Sequence, residues 1–284
     1  MSYQEFRPSR FQILPPVVKN ILIISGILFL ATEVLKAKTT IDLTDYLGLH
    51  YYSSELFKPH QFITYIFMHA DFSHIFFNMF AVWTFGSVLE NVWGAKRFII
   101  FYLVTGMGAA LIQYLVFYFE IQSGTQLLVQ LIEENNLDKL TTFFNNGGLG
   151  GYLNRNLYDQ FPAFVDEYNK ALGTDPSHAV YLAHEFLSKV QEQYINAHVV
   201  IGASGSLFGL LLAFGMMFPN TYLNVYFFVP VKAKYLVMIY GAFELLSGVA
   251  NQAGDNVAHF AHLGGMLFGF FMIILWRKNR THFY

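Results

Sequence analysis

The chain alternates between long apolar stretches and shorter polar ones, and this pattern predicts helices that cross a lipid bilayer. A helix needs about 20 mostly apolar residues to span the hydrocarbon core. Stretches that approach this length lie at 17–35, 72–89, 98–119, 199–218, 233–250 and 257–276. An even number of spans returns the chain to the side from which it started, so both termini are expected on one side of the membrane.

The longest polar interval, 120–197, has a helical periodicity of its own. Its predicted helices lie near 126–145, 154–172 and 176–196, and an Asn-Asn-Gly-Gly run at 145–148 separates the first two. Apolar side chains recur along one face of these segments: Leu127, Leu128, Leu131, Phe161, Phe164, Val165, Tyr181, Leu182 and Phe186. We expect a small helical subdomain at the membrane surface or, alternatively, a lid or docking element for a substrate.

These elements predict an all-α polytopic membrane protein. Its core is a bundle of six transmembrane helices, with a helical extracytoplasmic insert between the third and the fourth. The predicted divisions are a cytoplasmic segment 1–16, spans one to three within 17–119, the insert 120–197, spans four to six within 198–276, and a cytoplasmic tail 277–284.

Composition supports this class and excludes others. Hydrophobic residues make up 55% of the chain and charged residues 13%, which is typical of a protein embedded in lipid. The net charge of −2 offers no basic surface for a nucleic acid, so no nucleic-acid partner is expected. The chain has no cysteine, which excludes disulfides, a thiol nucleophile and cysteine-ligated metal sites.

The distribution of basic residues predicts the orientation of the chain. Ten of the seventeen Lys and Arg residues fall in the segments that would share one side or at the adjoining ends of the spans, and short cytoplasmic loops favour such residues. The interval 120–197 holds ten acidic and four basic residues, a net charge of −6, and long loops translocate largely regardless of charge. Both termini are therefore expected in the cytoplasm, and the insert on the outer side.

A serine among small residues is the first candidate for chemistry. Ser204 lies in the run IGASGSLFG, between Gly202 and Gly205, inside the fourth predicted span. Most serines in apolar helices bond back to a helix carbonyl, and this one could do the same. Its small neighbours leave the hydroxyl accessible, which makes it a candidate nucleophile.

Three further polar residues come early in their spans. His74 and Asn78 lie near the start of span two, and His262 near the start of span six. Ionisable side chains within spans are costly, so they are functional candidates by default. Spans two, four and six run in the same direction, so these residues and Ser204 are expected at one depth, ~10 Å below the outer surface.

Two rows of glycines predict which helices meet. Gly205 and Gly209 are four residues apart in span four, and Gly265 and Gly269 have the same spacing in span six. Such rows let helix backbones approach closely in lipid. A close crossing of the two spans would bring Ser204 beside His262.

This juxtaposition predicts a serine nucleophile with a histidine base. Neutral imidazole is the usual base for a hydroxyl near neutral pH. His74 and Asn78 share one helix face and could donate hydrogen bonds to an oxyanion, together with the backbone N–H of Ser204. We identify no acidic residue in a span that would orient His262, so we expect a dyad, with Phe208 one turn along as a stacking platform for the imidazole.

The combination of GASG in a fourth span, AHLGG in a sixth and HxxFN in a second resembles the rhomboid intramembrane serine proteases. The match covers roughly the six-span core, 60–119 and 198–276. The resemblance implies Ser204 as nucleophile and His262 as general base, with His74 and Asn78 in the oxyanion hole. It assigns supporting roles to the remaining matching positions: His69, Phe77 as a gating aromatic, Phe208, Gly202, Gly205 and Gly265.

The resemblance has departures. Some members carry a Trp-Arg pair before the second span, where this chain has His60 and Gln61, and Phe208 stands where some members have tyrosine. Glu90 and the residues after it match the turn between spans two and three. His259 is expected to be a hydrogen-bonding residue at a helix end rather than an alternative base.

The expected function is an endopeptidase that cleaves single-span membrane proteins near the outer end of their helices. Transmembrane protein substrates and the lipid bilayer are the expected partners. The expected location is a bacterial inner or plasma membrane. No HExxH motif is present, and neither a metal nor a cofactor is expected. The alternatives are a catalytically silent chaperone or adaptor of the same fold, and a small-solute transporter using the same polar residues.

Overall fold

A computed structural model describes residues 11–146, 148–149, 152–153, 155–225, 229–250 and 258–278. The chain divides into two compact units, which are described separately. The membrane unit comprises Met1–Leu49, Lys58–Tyr114 and Val200–Tyr284, and the insert unit comprises His50–Phe57 and Leu115–Val199. Positions 1–10 of the predicted N-terminal segment and 279–284 of the predicted tail lie outside the described residues.

Helices make up most of the described chain. In order they are α1 (Pro16–Lys38), α2 (Leu43–Leu47), α3 (Gln61–Thr64), α4 (Phe72–Ala81), α5 (Ser87–Trp93), α6 (Ala95–Glu134), α7 (Leu137–Asn145), α8 (Arg155–Thr174), α9 (Pro176–Asn196), α10 (Ser204–Met217), α11 (Ala233–Ala250) and α12 (His259–Lys278). A 3₁₀ turn covers Tyr65–Phe67, and a π-helical turn at Val82–Gly86 joins α4 to α5. The strands are β1 (Leu49–His50), β2 (Val199–Val200), β3 (Tyr222–Val225) and β4 (Val229–Lys232).

The helices confirm a polytopic membrane protein. Within the described ranges, five segments are long and apolar enough to cross a bilayer: Pro16–Lys38, Phe72–Trp93, Ala95–Glu134, Ala233–Ala250 and His259–Trp276. They correspond to predicted spans one, two, three, five and six. The fourth predicted span is α10, an apolar helix of 14 residues.

The fourth helix begins later than the sequence predicted. The apolar stretch starts at Val199, but Val199 and Val200 form β2, and the helix starts at Ser204. Gly202 has a φ of 122°, a backbone conformation that rarely suits any residue but glycine and that interrupts a helix. Ser204 is therefore the first residue of α10, and not a residue well inside it.

The third helix runs on past the predicted start of the insert. α6 has 40 residues and crosses position 120 without a break. It ends where Asn135 takes a φ of 51°, and the side chain of Asn136 accepts the Lys139 N–H and caps α7. The fall in apolar content near 120 therefore does not interrupt the helix.

A β-hairpin follows α10 in a segment that the sequence predicted as a loop. β3 pairs antiparallel with β4, with Tyr222 opposite Lys232 and Val225 opposite Val229. The Lys232 ammonium lies 5.7 Å from the centre of the Tyr222 ring, a cation–π contact across the two strands. The hairpin ends directly where α11 begins.

The close crossing of α10 and α12 is confirmed, and glycines make it possible. A Cβ atom added to Gly265 would overlap the carbonyl oxygen of Gly205, and one added to Gly269 would lie 3.3 Å from the Cα of Gly209. The two helices thus meet backbone to backbone, as small residues allow in lipid. The crossing fixes the relative position of the first turns of both helices.

Buried polar groups secure other contacts in the membrane unit. The Glu90 carboxylate accepts the backbone N–H groups of Val17 (3.0 Å) and Val18 (2.8 Å) and so caps the start of α1. Gln61, one of the two departures in the first loop, is fully buried, and its side-chain oxygen accepts the N–H of Lys58. These bonds tie loops and helix ends to the bundle.

The insert unit has an apolar core of its own. Its buried residues come from α6 to α9 and the loop after α7: Leu128, Leu131, Leu140, Phe144, Leu149, Leu157, Tyr168, Ala171, Ala179, Ala183, Phe186, Leu187 and Val190. The rings of Phe164 and Phe186 stack with centres 4.1 Å apart. The predicted apolar face is thus largely the core, although Leu127 and Tyr181 from that face are exposed. The predicted break at 145–148 is confirmed, since α7 ends at Asn145.

Candidate active site

Ser204 stands at the start of a buried helix that has no side-chain cap. Ala203 occupies the capping position, and its side chain offers no hydrogen-bond acceptor. The first N–H groups of a helix have no partner within the helix, and the helix dipole makes this end electropositive. The backbone around Ser204 is therefore suited to stabilise a negative charge that develops beside its hydroxyl.

The structure brings Ser204 and His262 together. The Ser204 Oγ lies 2.8 Å from the His262 Nε2, which is hydrogen-bond distance for a hydroxyl and an imidazole. His262 is the fourth residue of α12 and is buried. The crossing of α10 and α12 supplies this contact, as the two glycine rows predicted.

An aromatic ring holds the plane of the imidazole. Phe208 lies one turn beyond Ser204 on α10, and its ring stacks on His262 with the ring centres 4.2 Å apart and an interplanar angle of 9°. The stacking predicted from the sequence is therefore present. Tyr240 approaches the edge of Phe208 at 6.4 Å between ring centres, so α11 also packs against this platform.

The expectation that no acidic side chain orients His262 is wrong. Glu244, on α11, is buried, and its Oε2 lies 2.9 Å from the His262 Nδ1. The same oxygen lies 2.6 Å from the Nδ1 of His259, the first residue of α12. A signal was available in the sequence, because Glu244 is an ionisable residue inside the fifth apolar stretch. The prediction of His259 as a hydrogen-bonding residue at a helix end is confirmed.

His74 lies against the turn that precedes Ser204. A Cβ atom added to Gly202 would approach the Cε1 and Nε2 atoms of His74 to 2.8 Å, closer than real side chains come. The same Cβ would lie 3.8 Å from the Ser204 Oγ. Gly202 is thus required twice, for its positive φ and for the close approach of an imidazole. His74 therefore packs against the turn at Gly202, directly before α10 and beside Ser204.

His69 supports His74 from the preceding loop. The two rings meet edge to face with centres 5.0 Å apart, and His69 is almost fully buried. Burial, together with the neighbouring His74, lowers the pKa of His69 to about 4, so this ring is neutral near pH 7. A neutral second imidazole packs behind His74 without adding a competing charge.

Asn78 and Phe77 lie next to each other on α4 but in different surroundings. Asn78 is buried one turn beyond His74, on the face of α4 that the sequence predicted for both residues. The side chain of Phe77 is 68% exposed, and its ring packs against Phe76. Phe77 therefore lies on the exposed face of α4, and the gating role expected for it would be exercised from that face.

The three reactive candidates all come from first turns of helices. Ser204 is the first residue of α10, His74 the third of α4 and His262 the fourth of α12. Their shared position explains how residues far apart in sequence reach one site. Gly205 allows close packing at this site, since an added Cβ would lie only 2.5 Å from the Cβ of Ala109 on α6.

One cluster among the described residues has the composition of a metal site. The ligand atoms of Glu244, His259 and His262 all lie within 4.8 Å of one another, and two histidines with a glutamate can bind Zn²⁺. The contacts of 2.6 and 2.9 Å between the imidazole nitrogens and the carboxylate oxygen are those of direct hydrogen bonds. Ligands of a tetrahedral zinc ion stand roughly 3.3 Å apart. The arrangement as it stands is hydrogen-bonded, and the prediction of no metal stays a prediction.

Comparison with known families gives one match. A family model described as the Rhomboid domain matches residues 57–121 and 157–279. No curated protein matches the chain. The matched ranges include every residue of this site and leave out 122–156.

Proposed function

The chain belongs to the rhomboid family, and we propose that it is an intramembrane serine endopeptidase. Its substrates in this proposal are single-span membrane proteins, cleaved near the outer end of their helices. The family generally comprises serine proteases of the membrane, which supports the reaction class. The catalytic roles of particular residues and the class of substrate are proposals.

The observation that carries the proposal is the 2.8 Å contact between the Ser204 Oγ and the His262 Nε2. A serine hydroxyl becomes a useful nucleophile when a base can take its proton. A buried serine without a catalytic role bonds to a backbone carbonyl instead, as Ser206 does with the oxygen of Tyr102 on α6 at 2.7 Å. Ser204 faces a base, and Ser206 two residues later does not.

The proposed reaction follows the order of acyl transfer. The Ser204 Oγ attacks the carbonyl carbon of the scissile bond while the His262 Nε2 takes the hydroxyl proton. The carbonyl oxygen becomes an oxyanion, which accepts hydrogen bonds from the Ser204 N–H and from His74 and Asn78. His262 then gives its proton to the leaving amine. A water, deprotonated by the same imidazole, releases the acyl group from Ser204.

The length of α10 supports a site below the membrane surface. Its 14 residues extend about 21 Å, whereas the hydrocarbon core is about 30 Å thick. If its C-terminal end reaches the cytoplasmic face, its N-terminus lies ~9 Å below the outer face. A substrate helix must unwind locally there to expose a peptide bond. The proposed topology, with both termini in the cytoplasm, opens this site outward.

The two alternatives fit the geometry less well. A silent chaperone or adaptor has no need for a hydroxyl bonded to an imidazole at the start of a glycine-packed helix. A small-solute transporter is expected to carry broken helix pairs or repeat symmetry around its site, and we find no such symmetry in the sequence.

Cleavage by matched variants tests the proposal. We expect the full chain, in lipid vesicles with a single-span reporter, to cleave the reporter, and Ser204→Ala and His262→Ala to abolish cleavage without loss of folded protein. Asn78→Ala should lower the rate by about 10²- to 10³-fold, the usual effect of removing one oxyanion donor. Ser206→Ala is the control, because it removes a nearby buried hydroxyl that faces away from the base. Cleavage by Ser204→Ala at the wild-type rate would refute the proposal.

A further inference from the structure

Glu244 is a buried acid that the two-residue mechanism leaves without a role. α11 carries it into the membrane unit, where it is 6% exposed. A carboxylate in such surroundings is costly unless it is hydrogen-bonded, and acids within spans are therefore functional candidates. Its partners are His259 and His262, so its role has to be sought in what it does to these two rings.

One carboxylate oxygen of Glu244 is within hydrogen-bond distance of both imidazole rings. The Glu244 Oε2 lies 2.9 Å from the His262 Nδ1 and 2.6 Å from the His259 Nδ1. An ionised carboxylate can only accept hydrogen bonds, so the protons belong to the two Nδ1 atoms. In a neutral imidazole the other nitrogen is then an acceptor. For His262 that acceptor is Nε2, the atom that faces the Ser204 Oγ.

We propose that Glu244 is a positioning residue of the reaction: it holds His262 in the tautomer whose Nε2 can take the proton of Ser204, and His259 anchors the carboxylate. This inference rests on the proposed function, since it assigns a third and a fourth member to the same proton transfer. The arrangement, called the relay below, is a chain of hydrogen bonds from Ser204 through His262 to Glu244, with His259 bound to the same carboxylate oxygen. Only the serine proton moves, and it moves to the His262 Nε2.

Phe208 and Glu244 restrain different movements of the same ring. Stacking on Phe208 fixes the plane of the imidazole, but a half-turn about the Cβ–Cγ bond would keep that plane and exchange the positions of Nδ1 and Cδ2. A hydrogen bond at Nδ1 fixes this rotation, because it sets the direction in which Nε2 points. Both restraints are needed for the Nε2 to stay aimed at Ser204.

The negative charge of Glu244 has a separate effect. When His262 takes the serine proton it becomes an imidazolium, and an adjacent carboxylate stabilises that cation in surroundings of low dielectric constant. Glutamine at 244 could still accept from both Nδ1 atoms through its amide oxygen. Glu244→Gln therefore keeps the hydrogen-bond geometry and removes the charge, while Glu244→Ala removes both.

Kinetics of matched variants test the relay. We expect Glu244→Ala and Glu244→Gln to lower kcat by at least about tenfold, toward the ~10⁴-fold that carboxylates of soluble triads contribute. KM and the amount of folded protein should change little in Glu244→Gln. Glu244→Asp should recover part of the loss, and His259→Ala should lower kcat less than Glu244→Ala.

Glu90→Gln is the control for a buried, hydrogen-bonded acid without this role. Its carboxylate caps α1 and lies 16 residues beyond His74 along the same span, about 24 Å at helical rise. We expect Glu90→Gln to lower the thermal midpoint and to leave kcat unchanged. An equal loss of kcat in Glu90→Gln and Glu244→Gln would overturn the positioning role.

A tautomer measurement tests the relay independently of cleavage. Histidine labelled with ¹⁵N reports by NMR which ring nitrogen carries the proton, and His262→Ala identifies the signal. We expect the Nδ1–H form in the wild type and a shift toward the Nε2–H form in Glu244→Ala. An Nε2–H form in the wild type would overturn the relay even in an active enzyme. Failure of the proposed function would instead show as a wild type that has the Nδ1–H form and cleaves nothing.

Chelation and added Zn²⁺ distinguish the relay from a metal site. Activity that a chelator abolishes and Zn²⁺ restores would mean that Glu244, His259 and His262 are ligands, and it would overturn the relay. We expect activity to survive chelation. Added Zn²⁺ should inhibit the wild type, because it would take the Nδ1 atom from Glu244.

Discussion

The two units of the chain differ in where their charged side chains lie. The membrane unit has leucine, isoleucine and phenylalanine on its exposed surface and buries Glu90, Glu244 and His262. The insert unit buries a core of leucine, alanine and aromatic residues, and it exposes ion pairs such as Lys189–Glu185. The exposed apolar surface of the first unit therefore suits lipid, and the exposed ion pairs of the second suit water.

This difference explains where the candidate site lies. In lipid, exposed polar groups have no partners, so the membrane unit gathers its polar side chains inside and pairs them with one another. The contacts of Glu244 and His262 result from this. In the insert unit the interior is filled by apolar packing, and the charged groups have water as an alternative partner. Buried polar clusters thus point to function in the first unit.

The largest expected effect on stability contrasts two leucines. Leu187 is fully buried in the insert unit, and Leu187→Ala should destabilise it by about 2–5 kcal/mol because a cavity forms. Leu246 on α11 is 71% exposed, and Leu246→Ala should cost no more than ~0.5 kcal/mol in a bilayer, since lipid fills the space. Hydrogen exchange of α8, α9 and α11 measures both changes. Equal losses would mean that the units do not differ as described.

The next effect concerns packing by glycine. Gly265→Ala should destabilise the membrane unit by about 1–3 kcal/mol or more, because its Cβ would overlap the Gly205 backbone. Gly26 on α1 has open space around it, and Gly26→Ala should stabilise by up to ~1 kcal/mol through helix propensity. Thermal unfolding in detergent compares the two variants. A tolerated Gly265→Ala would argue against the close crossing of α10 and α12.

The smallest effect is expected at an exposed ion pair of the insert unit. The Lys189 ammonium lies 2.6 Å from the Glu185 carboxylate, and both side chains are about half exposed. Water and salt screen such a pair, so Lys189→Ala should change the free energy of unfolding by no more than ~0.5 kcal/mol. Hydrogen exchange of α9 at low and high salt provides the check. A loss above 2 kcal/mol would show that this surface is not solvated as water-facing surfaces are.

Much of the membrane unit could be predicted because its signals are local. Apolar length defines the spans, and the glycines at 205, 209, 265 and 269 indicate which two helices cross. Once those helices meet at corresponding glycines, the contact of Ser204 with His262 follows. The stacking of Phe208 follows from its position one turn away.

The features that the sequence did not reveal depend on contacts between distant segments or on backbone geometry. Periodicity within α11 does not say which face meets α12, so the link from Glu244 to His262 was missed. The start of α10 depends on the positive φ of Gly202, which is a backbone property. The predicted third span ends at 119 because hydropathy falls near 120, although no residue there interrupts the helix, and α6 continues to Glu134.

The most direct test of the account is to find where a serine-directed fluorophosphonate attaches to the folded protein in lipid. Such a probe reports a hydroxyl activated by a neighbouring base, and peptide mass spectrometry identifies the modified residue. The account predicts modification at Ser204, its loss in His262→Ala, and no modification at Ser206. Intact protein that stays unmodified, or that is modified at a serine other than Ser204, would contradict it.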